Sequence, residues 1–131
     1  MITLDTSALF ALLNRKDVDH KRVASALLDD PGPYLVPAGI LAEIAYLTER
    51  RLGLGALEAL LQDLESEALA MEWNQRDLPR IRELVVRYKD LPLGVADASV
   101  IAVAERNGGR VLSLDRHFHV VAQEGTIHVL P

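Results

Sequence analysis

The chain has 131 residues, 50% of them apolar and 25% charged; this length and composition predict one globular domain over residues 1–131 and exclude a disordered protein. The formal net charge of −5 excludes broad electrostatic adhesion to nucleic acid or to an anionic membrane. Because there is no cysteine, disulfides, thiolate zinc sites and cysteine nucleophiles are excluded as well.

Short β-prone runs alternate with amphipathic helical segments along the whole chain, and turn residues such as Pro31-Gly32-Pro33 and Gly108-Gly109 separate them. In chain order, the predicted strands are 2–4, 34–36, 69–73, 111–114 and 127–130, and the predicted helices are 8–13, 18–30, 37–52, 56–66, 77–88, 95–107 and 117–123. Strands that alternate with helices predict an α/β sandwich around a mainly parallel sheet.

No segment predicts a membrane span or an export signal. The longest uncharged stretches, such as 34–42, are well short of the ~18 to 20 residues that a membrane helix requires. The apolar segment 8–13 has no basic region before it and no small-residue cleavage site after it. We therefore expect a cytoplasmic protein that does not bind membranes.

Two acids follow predicted strands. Asp5 comes directly after the first strand, and Asp115 comes directly after the fourth. In parallel sheets, ligands bind beyond the carboxyl ends of the strands, so these two carboxylates are candidate ligand-binding groups. Capping of the helix that follows each acid is the alternative interpretation.

Two further acids lie on apolar helix faces. Glu43 shares a predicted helix face with Ile40, Ile44 and Leu47, so its carboxylate should point toward the interior or a cleft, with a salt bridge to an Arg as the alternative. Asp97 is the only charge in the almost wholly apolar segment 91–104. Its alternative role is to complement the dipole of the helix from the first turn.

Carboxylates that converge on one cleft, without cysteine or a histidine pair at metal-binding spacing, favour an all-oxygen site for Mg²⁺ or Mn²⁺. Such an ion commonly acts on a phosphate, and its charge would offset the repulsion between an acidic protein and a polyanion. Without metal, the carboxylates should repel one another, so at least one should have a raised pKa.

The four acidic segments are similar to the four acidic signatures of PIN domains, and in particular to those of VapC-type toxin ribonucleases. The segments are Ile2-Thr-Leu-Asp5-Thr-Ser-Ala-Leu9, Leu41-Ala-Glu43-Ile44, Leu91-Pro-Leu-Gly-Val-Ala-Asp97-Ala-Ser-Val-Ile-Ala102 and Val111-Leu-Ser-Leu-Asp115-Arg-His-Phe118. The acids are 38, 54 and 18 residues apart, in the order of the family, and the resemblance covers the whole chain. It implies a three-layer α/β/α sandwich whose central, mainly parallel sheet has about five strands.

The resemblance implies a Mg²⁺-dependent endoribonuclease, with Mn²⁺ as a substitute, that forms a homodimer and is encoded beside an antitoxin protein that blocks the acidic cleft. Asp5, Asp97 and Asp115 would hold one or two ions, and Glu43 would bind an ion or orient a water molecule. Weaker candidates, for contacts with RNA, are Thr6, Ser7, Ser113, Arg116 and Arg15. Ser113 stands where the family often has Thr, so a hydroxyl is kept.

For two arginines and two histidines, a position on the solvent-exposed surface is the alternative to a role at the site. Arg15 and Arg116 follow acidic segments, but a solvated face is the simpler interpretation of both. His117 and His119 flank the proposed site, and surface histidines are again the simpler interpretation. Neither pair therefore adds support to the ribonuclease hypothesis.

Two other phosphate-active folds also begin with an acid after the first strand. A phosphatase of the haloacid-dehalogenase type requires a second Asp two positions later, where this chain has Ser7. A receiver domain requires an acidic pair and a late Lys, and no lysine follows Lys89. The alternative that stays open is a catalytically weak or inactive PIN-like scaffold whose acidic groove binds a basic partner peptide, and metal binding distinguishes it from an enzyme.

Leucines are concentrated in the helical pair predicted over residues 37–66. They are Leu52, Leu54, Leu57, Leu60 and Leu61. This patch exceeds what one small sheet can cover, so it predicts core or interface. Together with the resemblance, it predicts a homodimer, with the antitoxin tail near the helical pair and an Arg of that tail in the acidic cleft.

Overall fold

Five parallel strands form the centre of a three-layer α/β/α sandwich. The structure is a computed structural model that describes residues 1–131. In chain order the elements are β1 (Ile2–Leu4), α1 (Thr6–Leu13), α2 (His20–Leu28), β2 (Tyr34–Pro37), α3 (Leu41–Leu52), α4 (Leu54–Glu65), β3 (Ala70–Glu72), α5 (Leu78–Arg87), α6 (Val95–Glu105), β4 (Arg110–Leu112), α7 (Arg116–Ala122) and β5 (His128–Leu130). Each strand and helix predicted from the sequence is present, so the predicted fold class is confirmed.

The strand order is β3-β2-β1-β4-β5, and every neighbouring pair is parallel. In the central strand, Thr3 pairs with Leu35 on one side and with Val111 on the other. The first strand of the chain is therefore also the middle strand of the sheet. Because all strands run in the same direction, the loops that follow β1 and β4 lie next to each other at one edge.

Several boundaries differ from the predicted ones. Pro37 ends β2 instead of opening α3, since its φ of −59° and ψ of 134° suit extended backbone. A 3-10 turn, Ala38–Ile40, follows, and α3 begins only at Leu41. Gly55 lies inside α4, and β4 ends at Leu112, so the acid at position 115 lies in a loop. Ile40, although it belongs to the 3-10 turn, is buried on the same side as Ile44.

Helix α6 is the most buried helix, and every residue from Ala98 to Ala104 is buried. It contacts β1, β2 and β4 on one side and α5 on the other. Its apolar sequence is explained by this position between two layers. None of the seven helices combines the length and the apolar composition that crossing a membrane requires.

The 3-10 turn before α3 lies directly against α6. A Cβ placed on Gly39 would be 2.3 Å from Oγ of Ser99 and 2.8 Å from its Cβ, closer than real side-chain contacts allow. Only a glycine permits this approach. The contact therefore sets the spacing between the start of α3 and the start of α6.

Candidate functional site

A cavity of about 400 Å³ opens at the carboxyl edge of the sheet. The loops after β1 and β4, one face of α3 and the first turn of α6 form its walls. The predicted site residues that line it are Asp5, Thr6, Ser7, Glu43, Asp97 and Asp115. A second cavity, between α5 and the start of α6, is apolar and contains no carboxylate or histidine. The structure thus brings the four predicted acids to one cavity.

Asp5 lies at the bottom of this cavity and is only 3% exposed. It caps α1, because its carboxylate accepts a hydrogen bond of 2.8 Å from the backbone N–H of Ala8. It also accepts hydrogen bonds from the hydroxyls of Ser7, at 2.8 and 2.9 Å, and Ser113, at 2.7 Å. Burial nevertheless raises the pKa of Asp5 to about 6, and these hydrogen bonds offset only part of the effect.

The two serine hydroxyls join the loop after β1 to the loop after β4. The Ser113 hydroxyl, which donates to Asp5, also accepts a hydrogen bond of 2.9 Å from the backbone N–H of Asp115. The Ser7 hydroxyl accepts a hydrogen bond of 3.0 Å from the backbone N–H of Leu114. Both hydroxyls therefore orient the carboxylates, and Ser113 is buried and does not line the cavity.

Asp97 and Asp115 face each other across the imidazole of His117. The Nδ1 atom of His117 is 3.3 Å from an oxygen of Asp97 and 3.7 Å from an oxygen of Asp115. Asp115 also caps α7, where its carboxylate accepts a hydrogen bond of 2.9 Å from the backbone N–H of His117. One possible ligand atom from each of the three residues lies within 4.8 Å of the others.

Asp97 is in the first turn of α6, as the helix-dipole interpretation requires, and it also lines the cavity. Its pKa is raised, first by burial and then by the charges of Asp115 and Glu43, while the hydrogen bond with His117 lowers it. The prediction of a raised pKa is therefore confirmed for Asp5 and Asp97. Its cause is different from the predicted one, because burial contributes more than mutual repulsion.

Glu43 lines the cavity, as predicted for a carboxylate that points toward a cleft, and it does not point into the protein interior. Its side chain is exposed, whereas that of Ile44 is buried. The buried stripe consists of Ile40, Ile44 and Thr48, whereas Glu43 lies on the neighbouring helix face, which borders the cavity. No arginine forms a salt bridge with Glu43, and its carboxylate lies free at the rim of the cavity.

The two predicted arginines do not join the carboxylates. Arg116 is exposed, opens α7 and lines no cavity. Arg15 is also exposed and lies in a neighbouring groove with Lys16 and Arg51. Their proposed contacts with RNA would therefore be made outside the acidic cavity.

Sequence reasoning missed three groups at the site. Asp17, in the loop after α1, lines the cavity as a fifth carboxylate. Arg51 lines the cavity, and its spacing of eight residues from Glu43 was a usable signal, since positions four residues apart share a helix face. His117 was interpreted as a surface residue, but it is half-buried and contacts Asp97. That contact spans 20 residues of sequence, and no local pattern indicates it.

The chain is similar to known PIN domain proteins in both sequence and structure. A model of the PIN domain family matches residues 2–124. Ribonuclease VapC26 of Mycobacterium tuberculosis is 30% identical over 125 residues, which cover 93% of each chain. The crystal structure of VapC20 from the same organism, a toxin that cleaves the sarcin-ricin loop, has a TM-score of 0.84 at 25% identity and covers 100% of both chains. The FitAcB structure of Neisseria gonorrhoeae has a TM-score of 0.70 at 18% identity, covers 100% of this chain and 97% of that one, and supports the fold alone.

Proposed function

Since the chain belongs to the PIN domain family, and within it to the VapC ribonuclease toxins, we propose that it is an endoribonuclease that uses Mg²⁺, or Mn²⁺ in its place, to hydrolyse RNA phosphodiester bonds. The observation that carries this proposal is the convergence of the four predicted carboxylates on one cavity, which Asp17 lines as a fifth. We further propose that residues 1–131 form a single nuclease domain, and that it acts in the cytoplasm, where its RNA substrate is.

The chemistry of the donor set fits a divalent ion. Carboxylate oxygens suit Mg²⁺ and Mn²⁺, and one imidazole nitrogen beside them suits a transition metal such as Mn²⁺ better than it suits Mg²⁺. Asp97 and Asp115 would hold the ion, with His117 as a nitrogen donor or as a hydrogen-bond donor to Asp97. When bound, such an ion lowers the pKa of water and neutralises charge on the phosphate oxygens.

The remaining residues would position the substrate and the ligands. Asp5, held by hydroxyl and backbone donors, would supply a fixed negative charge behind Asp97. Glu43, exposed at the rim, would orient a water molecule toward the scissile phosphate. Thr6, which lines the same cavity, would donate a hydrogen bond to a phosphate oxygen. This division of roles gives each of the four predicted acids and Thr6 a task in the reaction.

We expect RNA cleavage with Mg²⁺ or Mn²⁺ and none in the presence of a chelator. Because Mn²⁺ would bind only the native state, a concentration of about 100 times its Kd should stabilise the fold by about 2.7 kcal/mol. Thermal melts measure this shift, and it should be smaller in a variant carrying both Asp5→Asn and Asp97→Asn. Equal shifts in both proteins would place the metal elsewhere, and absence of both binding and cleavage would favour an inactive scaffold.

For partners, we propose a homodimer and a cognate antitoxin. The leucine-rich segment is partly core, since Leu60 is fully buried and Leu57 packs against the core. Leu54 and Leu61, in contrast, are 69% and 46% exposed, and the neighbouring Tyr46 is 63% exposed. These side chains support an interface on α3 and α4. The free carboxylates of the cavity suit a guanidinium group of an antitoxin tail.

Light scattering at micromolar concentration should report a dimer, because an exposed apolar patch on one subunit is buried by the same patch on its partner. A monomer would contradict the dimer. For the antitoxin, a peptide from the neighbouring reading frame should inhibit cleavage, and inhibition should weaken when its arginines are replaced by alanine. Equal inhibition by both peptides would contradict entry of an Arg into the cavity.

A further inference from the structure

Three basic side chains meet beside the acidic cavity: Arg15, Lys16 and Arg51, which we call the basic shelf. The first two follow the end of α1, and Arg51 lies in the last turn of α3. All three line one groove of about 560 Å³. Arg51 also lines the acidic cavity, so the groove and the cavity adjoin at this side chain.

Helix α3 connects the acidic and basic regions. Glu43, Leu47 and Arg51 are spaced by four residues, and all three line the cavity. The helix rises by about 12 Å between Glu43 and Arg51. The cleft therefore carries a carboxylate at one end and a guanidinium at the other, where the helix dipole also favours a cation.

The charges of the basic shelf have no acidic partner in the protein. Five other arginines form ion pairs, namely Arg22, Arg80, Arg87, Arg106 and Arg110. Although the chain has 19 acids, none of them pairs with Arg15, Lys16 or Arg51. The guanidinium of Arg51 instead lies 5.9 Å from the ring centroid of Phe10. These cations are free to bind an external anion.

We propose that the basic shelf binds the phosphodiester backbone of an RNA strand that continues out of the acidic cavity. The inference rests on the proposed function, which places one phosphate of the strand among the carboxylates. The strand must then leave the cavity, and the groove adjoins the cavity at Arg51. Arginine binds phosphate through two parallel hydrogen bonds, and lysine binds it as a point charge. The shelf thereby offsets the repulsion that a net charge of −5 exerts on a polyanion.

The test compares the triple variant Arg15→Ala, Lys16→Ala, Arg51→Ala with the control Arg50→Ala, an exposed arginine of the same helix that lines neither cavity. Binding of a 12-nucleotide RNA is measured with Ca²⁺ in place of Mg²⁺, over a range of salt concentrations. Because each phosphate contact with a single strand contributes about 0.7 to the log–log salt slope, the triple variant should lose about 2 in slope. The control should match the wild-type protein.

Cleavage kinetics with Mg²⁺ distinguish a role of the basic shelf in RNA binding from a role in the cleavage step. For the 12-nucleotide RNA, the double variant Arg15→Ala, Lys16→Ala, whose side chains line the groove and not the cavity, should raise KM by about tenfold with little change in kcat. For a dinucleotide held among the carboxylates, the same double variant should leave KM unchanged, because neither side chain lines the cavity. An unchanged salt slope, or an equal loss in the Arg50→Ala control, would overturn the proposal. An acidic peptide is the further probe. If the triple variant lost binding of this peptide while its RNA binding stayed intact, the shelf would be assigned to a protein partner and the proposal would be overturned.

The two proposals fail in distinguishable ways. If the wild-type protein cleaves RNA of neither length with any divalent ion, the proposed ribonuclease function is wrong, and the salt slope of binding still decides the role of the shelf. If the wild-type protein cleaves both substrates and the triple variant cleaves the longer one equally well, only the shelf is wrong. Melting temperatures confirm that each variant is folded.

Discussion

We expect the Asp97→Asn variant to fold normally and to lose metal-dependent RNA cleavage. Asp97 is one of the three residues whose ligand atoms lie within 4.8 Å of one another, and it also carries a raised pKa. The amide keeps the shape of the side chain but removes the charge that would hold a divalent ion. Removal of one preorganised electrostatic group typically costs about a hundredfold to a thousandfold in kcat. Steady-state cleavage assays with Mg²⁺ and with Mn²⁺ measure this loss.

A matched control shows whether the loss of cleavage is specific to a carboxylate of the site or follows from the removal of any negative charge. Glu49→Gln removes an exposed acid from α3 that does not line the cavity, so cleavage and metal binding should stay at wild-type levels. Calorimetry should show weaker Mn²⁺ binding by Asp97→Asn than by Glu49→Gln. Full cleavage by the Asp97→Asn protein in saturating metal would show that Asp97 has no part in the reaction.

The Gly39→Ala variant should lose both stability and activity. The new methyl group would lie 2.3 Å from Oγ of Ser99, so the turn before α3 must move away from α6. Overpacking of this kind typically costs about 1 to 3 kcal/mol of unfolding free energy, which thermal or urea unfolding measures. The shift would also separate Glu43 from Asp97, and a displacement of about 1 Å in a catalytic group can lower the rate by about a hundredfold.

Two further variants test whether the contact between residue 39 and Ser99 causes the expected losses of stability and activity. In a Ser99→Gly background the atoms that meet the new methyl group are gone, so adding Gly39→Ala should cost much less than in the wild-type protein. Gly55→Ala is the matched glycine control, because a Cβ there meets nothing within 4 Å. It lies within α4, where alanine should stabilise the helix by about 0.5 to 1 kcal/mol. A Gly39→Ala protein with wild-type stability would contradict the steric argument.

The fold was predictable from the sequence because its signals are local. Apolar residues at helical spacing and short β-prone runs between turn residues indicated each helix and strand, and parallel strands placed the acids that follow them at one edge. Asp5 and Asp115 could be located in this way, since the end of a strand fixes their position. Both also act as helix caps, so the two interpretations offered for them are compatible.

The remainder of the site depends on contacts that no local pattern contains. The exposure of Glu43 depends on how α3 packs: Ile44 and Thr48 are buried against the core, and Glu43 lies on the neighbouring face at the cavity. His117 contacts Asp97 only because α6 and α7 are neighbours in space. The close approach of Gly39 to Ser99 is equally a property of the packed structure. Sequence reasoning therefore identified the chemical groups but not their exposure or partners.

The position of β1 in the middle of the sheet has a consequence for the timing of synthesis. Asp5 is made well before β4, and it receives the hydroxyl of Ser113 and the neighbouring Asp115 only after β4 has paired with β1. At about 5 to 20 residues per second, the ribosome needs roughly 5 to 20 s to add the residues that separate the two acids. During that interval the nascent chain holds an incomplete cluster of carboxylates. The order of translation thus delays assembly of the cleft until β4 and the loop that carries Asp115 have been polymerised.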